Sequence, residues 1–201
     1  MMHLISEAIT NWLEQEGVVS SKEYELYAYA AYSFLFGILP IIIVFLLGLC
    51  FGMIQEGIVL ILPFMLLRKF CGGYHLNSLV ACIIFSTILL TVALGAVKVI
   101  TFLGATSLLT VLVFLCVIIL FVFSPVENNA RKLSENEKRV FRKISRALAC
   151  ATLSIYLLSK IALSERYTVP IGVGIILVAF LMIPCIPAKI ISFTREMSKH
   201  Y

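Results

Sequence analysis

One short polar segment, residues 68–82, holds the side chains of this chain that could do covalent chemistry. Its reactive and flexible residues are Arg68, Lys69, Cys71, Gly72, Gly73, His75 and Cys82. The other two histidines, His3 and His200, lie near the ends of the chain. Ionisable side chains are costly beside a membrane, and the surrounding sequence is strongly apolar, so this polar segment is a candidate functional site.

The spacing of His75 and Cys82 restricts how they could cooperate. On one continuous helix, seven residues would separate them by about 10.5 Å along the axis. Proton transfer needs about 2.6–3.2 Å or one bridging water, so His75 cannot lie on the helix that carries Cys82. Ser78 is a good N-cap and apolar residues follow it directly, which places Cys82 near the first turn of a helix. The Gly-Gly pair would let the preceding loop fold back over that helix end.

A thiolate at Cys82 would be favoured by the helix N-terminus and by a neighbouring imidazolium. The thiolate is the nucleophile in cysteine chemistry, and first-turn N–H groups could serve as oxyanion-hole donors. Cys71 is a rival nucleophile, because it lies beside the glycines and four residues before His75. Arg68 or Lys69 could hold a substrate carboxylate or anchor the loop at the interface. Taken singly, a cysteine in an apolar helix is more often a packing residue.

The composition excludes an ordinary water-soluble protein. Apolar residues make up 61% of the 201 positions and charged residues 13%. A globular chain has roughly 45–50% apolar and about 25% charged residues. The six cysteines form no C-x-x-C pair, and most lie inside or at the edge of apolar runs. We therefore expect no disulfide framework, no metal site and no cofactor.

Apolar runs predict an all-α polytopic membrane protein with about six transmembrane or membrane-embedded helices. The runs lie at about 34–54, 57–67, 79–97, 99–123, 147–163 and 169–187. A spanning helix needs about 20 residues, so the run at 57–67 covers roughly half of a bilayer core. It could extend back through Gln55 and Glu56, or it could be a re-entrant segment.

The basic residues predict the orientation. Seven lie in 131–146, and Arg68, Lys69 and three bases of the C-terminal tail would share their side, giving twelve bases against three on the opposite side. The positive-inside rule then places both termini, the polar segment and the basic loop in the cytoplasm. This topological role explains the basic loop better than nucleic-acid binding does, so no nucleic-acid partner is expected.

The beginning of the chain predicts amphipathic helices. Apolar residues recur at helical spacing from Leu4 to Leu13, and Gly17 is expected to end this helix. Ser20 and Glu23 predict a capping box that opens a second helix. We expect a single integral membrane domain over 1–201, divided into interfacial helices (1–33), a first helix pair (34–67), an active-site loop (68–78), a second pair (79–123), a basic loop (124–146), a third pair (147–187) and a cytoplasmic tail (188–201).

Residues 68–82 resemble the signature of the accessory gene regulator protein B (AgrB) family. These are membrane cysteine endopeptidases that mature bacterial quorum-sensing propeptides. The matching positions are Arg68, Gly72, Gly73, Tyr74, His75 and Cys82. The resemblance extends to the length, the number of apolar spans and the basic central loop that begins at Pro125. It implies that His75 and Cys82 are the catalytic pair, and Cys71 matches no catalytic position of that family.

The resemblance also implies the reaction and the partners. The substrate would be a short propeptide with an amphipathic leader and an acidic tail, processed at the bacterial cell membrane. Cys82 would attack the carbonyl at the end of the signal segment, the tail would leave, and a propeptide thiol or hydroxyl would release a thiolactone or lactone. The candidates for orienting His75 are Asn77, Glu127 and Asn128. The bases that could attract an acidic tail are Arg139, Arg142, Lys143 and Arg146.

Two other classes of protein remain as alternatives. A small peptide or solute transporter would place ionisable residues deep within several spans, whereas here Glu56 and Lys98 lie only at the edges of spans. A membrane scaffold for partner proteins would need none of the chemistry above. Because six thin spans bury little surface, a homodimer is compatible with the sequence.

Overall fold

The computed structural model describes residues 2–20, 23–73, 79–126 and 135–186. These residues are almost entirely α-helical and contain no β-strand, which confirms the predicted all-α fold. The helices are α1 (Met2–Gln15), α2 (Tyr24–Phe51), α3 (Ile54–Cys71), α4 (Leu79–Leu103), α5 (Thr106–Phe123), α6 (Glu135–Ala162) and α7 (Glu165–Met182), followed by a short 3₁₀ helix (Ile183–Cys185). The chain divides into two compact units, the first ending at Ile43 and the second beginning at Val44.

The first unit contains α1 and the first part of α2. The predicted amphipathic helix is present, and the Tyr24 hydroxyl donates a 2.7 Å hydrogen bond to Asn11 Oδ1, joining its two helices. Trp12 is 58% exposed, as a side chain facing lipid would be. The Ser20 hydroxyl donates to the Glu23 carboxylate at 2.9 Å. This bond joins two side chains just before α2. In the expected capping box, each side chain would instead accept a hydrogen bond from the backbone N–H of the other residue.

Four helices of the second unit are long and apolar enough to cross a membrane. They lie at Val80–Leu103, Thr106–Phe123, Asn136–Ala162 and Glu165–Cys185, and a shorter apolar stretch covers Gly37–Phe51. The chain is therefore a membrane protein by the length and composition of its helices. The expected total of six crossings, and their orientation, stay predictions.

Two elements are longer than the hydrophobic pattern predicted. The run at 57–67 is part of an 18-residue helix, α3, about 27 Å long, which extends back through Gln55 and Glu56 and forward to Cys71. Residues 135–146, expected in the basic loop, form the first turns of α6. With 28 residues, α6 is about 42 Å long and exceeds a hydrocarbon core of about 30 Å.

Helix α7 forms the centre of the second unit and packs against α3, α4, α5 and α6. Most of its residues are buried, whereas only 22–28% of the residues in the other three candidate spans are buried, so that much of their surface would face lipid. A Cβ added at Gly174 would come within 2.5 Å of the Leu60 carbonyl oxygen and 2.9 Å of Pro63 Cγ. The absence of a side chain there allows the middle of α7 to approach the middle of α3 closely.

Candidate functional site

The candidate site lies where the ends of three helices meet. Arg68 is in the last turn of α3, Cys82 is in the first turn of α4, and Cys185 follows α7. The half-buried Arg68 guanidinium interacts electrostatically with both thiol groups. Burial lowers the pKa of Arg68, and the negative forms of Cys185 and Cys82 act in the opposite direction. The fold thus brings together Arg68 and Cys82, fourteen positions apart in the sequence.

Gly72 and Gly73 are held in place by their neighbours. Both have positive φ angles, 78° and 131°, which side chains of L-residues rarely adopt. A Cβ at Gly72 would overlap the Val126 carbonyl oxygen, and one at Gly73 would lie 2.5 Å from Arg68 Nη1 and 3.1 Å from the Leu181 carbonyl oxygen. The glycines were expected to give the loop freedom. Instead, their missing side chains allow the backbone to pack directly on the site.

The segment after α5 also reaches the site. The Val126 N–H donates a 2.9 Å hydrogen bond to the Cys71 carbonyl oxygen, and Val126 forms a parallel bridge with Gly72. Val126 directly precedes Glu127 and Asn128, two candidates for orienting His75. This bridge attaches the beginning of that segment to the end of α3.

The two thiols of the polar segment have different surroundings. Cys71 is fully buried, and burial raises the pKa of its thiol, with the neighbouring Ser124 side chain opposing the shift. Cys82 is only half-buried, and its Sγ lies 3.9 Å from the hydroxyl of Ser86, one turn further along α4. A buried thiol with a raised pKa is a poor nucleophile, so this difference favours Cys82 over Cys71.

The remaining candidates are divided between described and undescribed parts of the chain. His75, Asn77, Glu127 and Asn128 lie outside the described residues. Arg139 and Lys143 are exposed on the first turns of α6. There, the Phe141 ring contacts the Phe70 ring edge-on at 5.8 Å between centroids, so this part of α6 lies at the same end of the bundle as Arg68.

Sequence reasoning did not connect Ser124, Val126, Leu181 and Cys185 with the site. The only local signal was Ser-Pro at positions 124–125, which marks the end of a helix but not what the chain packs against. Within the described ranges, no group of three or more His, Cys, Asp or Glu side chains could hold a metal ion. What the described residues can supply is a thiol, a cation and the free N–H groups of a helix N-terminus.

The family model of accessory gene regulator B matches residues 6–183. This chain belongs to the AgrB family. The match includes the polar segment and nearly all of the helices, and it confirms the resemblance that the residues of that segment indicated. Members of the AgrB family take part in quorum-sensing processing, so the chain is a membrane protein of the accessory gene regulator system.

Two relatives from Clostridium perfringens have similar sequences. One, from strain SM101 / Type A, is named "Putative AgrB-like protein" and is 26% identical over 172 residues. The other, from strain 13 / Type A, is named "Putative AgrB-like protein 2" and is 25% identical over 167 residues. Each alignment covers 79% of this chain and 77% of the relative. No solved structure matches this chain.

Proposed function

We propose that this AgrB family member is a membrane cysteine endopeptidase that removes the C-terminal tail of an autoinducer propeptide. The observation that carries the proposal is the position of Cys82: half-buried, in the first turn of α4, and within electrostatic range of Arg68. The segment that holds His75 begins directly after Gly73, which packs against the same Arg68 side chain.

The proposed reaction has two acyl transfers. His75 removes the proton from Cys82 Sγ, and the thiolate attacks the carbonyl carbon at the end of the signal segment. The C–N bond then breaks, and His75 protonates the departing amine of the tail. A side-chain thiol of the propeptide attacks the resulting thioester, which yields a cyclic thiolactone and regenerates Cys82. A hydroxyl in that role would give a lactone.

Arg68 and the start of α4 would stabilise the charges that develop. A guanidinium near Cys82 stabilises negative charge on sulfur, as does the positive end of a helix dipole. The first-turn N–H groups of α4 have no acceptor within the helix and could donate to the oxyanion of the tetrahedral intermediate. The apolar surroundings of a membrane boundary would exclude the water that competes with cyclisation.

The exposed bases of α6 would attract the acidic tail of the propeptide. Arg139, Arg142 and Lys143 are exposed within two turns of one helix. Arg146, the fourth candidate, instead donates to the Phe121 carbonyl oxygen at 3.2 Å and lies over the Phe121 ring. The amphipathic leader would remain in the bilayer, and the excess of bases on this side supports a reaction at the cytoplasmic surface.

The test is tail removal from a tagged propeptide with an amphipathic leader and an acidic tail, in membranes that contain the full chain. Cys82→Ala and His75→Ala should each reduce the rate by at least about 1000-fold. Cys71→Ala is the matched control, since it removes a thiol from the same segment, and it should retain cleavage. All three variants should still insert in membranes. Normal cleavage by Cys82→Ala would exclude the proposal. Loss of cleavage in Cys71→Ala alone would identify Cys71 as the nucleophile.

A further inference from the structure

A second charged cavity lies at the opposite ends of α3, α4 and α7. Its volume is about 390 Å³, and its lining includes Phe51, Glu56, Lys98, Thr101, Phe102 and Arg166. Glu56 precedes Arg68 by 12 residues, or about 18 Å along α3, and Lys98 follows Cys82 by 16 residues, or about 24 Å along α4. The cavity is therefore separate from the candidate catalytic site.

The cationic groups of the cavity outnumber its carboxylate, so that positive charge is available to bind an anion. Arg166 Nε donates to Glu56 Oε1, and the Arg166 side chain is 52% exposed. Glu56 itself is only 8% exposed, and its Oε2 accepts no hydrogen bond within the part of the chain described. Lys98 is exposed and has no acidic partner among the same residues. Two cations against one carboxylate make the cavity positive.

Further donors complete a site for an anion. The cavity is lined by Met53 and Glu56, at the beginning of α3, where the first backbone N–H groups have no acceptor within the helix. This positive helix end and the Thr101 hydroxyl supplement the two cations. A phosphate group, with a negative charge and several acceptor oxygens, matches this set of donors.

The surface around the cavity indicates where the phosphate comes from. On α4, an apolar stripe at helical spacing contains Val92 (63% exposed), Val99 (55%) and Phe102 (88%). This stripe leads along the candidate span to the cavity rim, and the span ends at Leu103, where hydrocarbon would give way to headgroups. An acyl chain could lie on the stripe while its headgroup occupies the cavity.

We infer that this cavity binds the phosphate headgroup of an anionic phospholipid, with Lys98 and Arg166 as its cationic ligands and Glu56 as the group that positions Arg166. The lipid would bridge α3, α4 and α7 at the end of the bundle remote from Cys82. Its role is independent of the proposed peptidase reaction.

The test is a titration of the purified full-length chain in detergent with phosphatidylglycerol, followed by native mass spectrometry. Lys98→Gln should weaken binding by about fivefold, since one cation near a headgroup is removed. Lys160→Gln is the matched control. Lys160 is exposed near the end of α6 and donates to Thr110, outside the cavity, so its substitution should change binding by less than about twofold. The zwitterionic phosphatidylcholine should bind at least about fivefold more weakly than phosphatidylglycerol.

Three results would overturn the inference. The first is native affinity for phosphatidylglycerol in Lys98→Gln, and the second is equal affinity for phosphatidylcholine. The third is displacement of the lipid by millimolar inorganic phosphate, which would make the cavity a site for free phosphate. Lys98 has no part in the proposed reaction, so Lys98→Gln should retain tail removal, and loss of lipid binding can be distinguished from loss of peptidase activity.

Discussion

The two ends of α3, α4 and α7 differ in how closely the backbone is packed. At the end with Cys82, a side chain at Gly72 or Gly73 would collide with Val126, Arg68 or Leu181. At the opposite end, Gly52 and Gly104 also have positive φ angles, 66° and 61°, but a side chain there would meet nothing within 4 Å. The same three helices therefore enclose a tightly packed site at one end and an open cavity at the other.

This difference matches the two roles proposed for the ends. Covalent catalysis needs reacting groups held within a fraction of an ångström, which close packing around Arg68 and the glycines provides. A lipid headgroup brings its own charges and can adjust to an open cavity with exposed cations at its rim. Substitutions of the same kind at the two ends should therefore have unequal effects.

Substitution of a glycine at each end should show the largest difference in stability between the two ends. Gly72→Ala combines an unfavourable φ with overlap of the Val126 carbonyl oxygen, so it should lower the free energy of unfolding by about 3 kcal/mol. Gly104→Ala has the φ cost without the overlap and should lose about 1 kcal/mol. Denaturant titration in detergent measures both. Equal losses would show that the site end is no more tightly packed than the cavity end.

The two arginines provide the next comparison. Arg68→Lys should slow tail removal by about 100-fold, because a flexible ammonium cannot reproduce the planar guanidinium packed under Gly73. Arg166→Lys keeps the charge at the cavity and should change the rate by less than about twofold. The rates are compared at equal amounts of inserted protein. A similar loss in both variants would mean that the two ends are not independent.

Cys71 should make stability depend on pH. Burial raises its thiol pKa in the folded chain, so the unfolded chain loses this proton first as pH rises. The free energy of unfolding should then fall above about pH 8.5, by at most about 1.4 kcal/mol per pH unit. Cys71→Ala should remove this component of the slope, which unfolding curves at several pH values would detect. An unchanged slope would contradict the raised pKa.

The ion pair at the cavity should contribute least. Glu56→Gln removes the carboxylate charge opposite Arg166, whose side chain is half exposed to solvent. The loss in unfolding free energy should be at most about 1 kcal/mol, and tail removal should be unchanged. Thermal unfolding in detergent with a parallel cleavage assay tests both statements. A large loss of cleavage would show that the cavity supports the catalytic end.

The sequence predicted features that depend on local pattern. The Ser78 N-cap and the apolar run after it placed the start of α4 at Leu79, and Cys82 lies in its first turn as expected. The basic turns of α6 were assigned to a loop because their charges suggested topology, although Arg, Lys and Glu are good helix formers. A long apolar run is recognised in the sequence as a membrane span. The amphipathic first turns of α6, which extend one such run, do not have that pattern.

Contacts between distant residues could not be predicted. The local amino-acid sequence around Gly72 and Gly73 is compatible with both a flexible loop and a packed turn. What decides between these states is Val126 and Leu181, which lie 54 and 108 positions after Gly72 and Gly73, respectively. Likewise, the different burial of Cys71 and Cys82 depends on tertiary packing, which a single sequence does not encode in any local spacing.

The continuous helix of α6 has a consequence for how an acidic peptide would be bound. Arg139, Arg142 and Lys143 have a backbone that is already ordered, with positions set by the helical rise. A flexible basic loop would lose about 1–2 kcal/mol of conformational entropy for each backbone residue that becomes fixed on binding. The helix has incurred that cost during folding, so more of the attraction between opposite charges is available for affinity. The fixed spacing of these three basic side chains along α6 should also favour acidic tails whose charges recur at a matching interval.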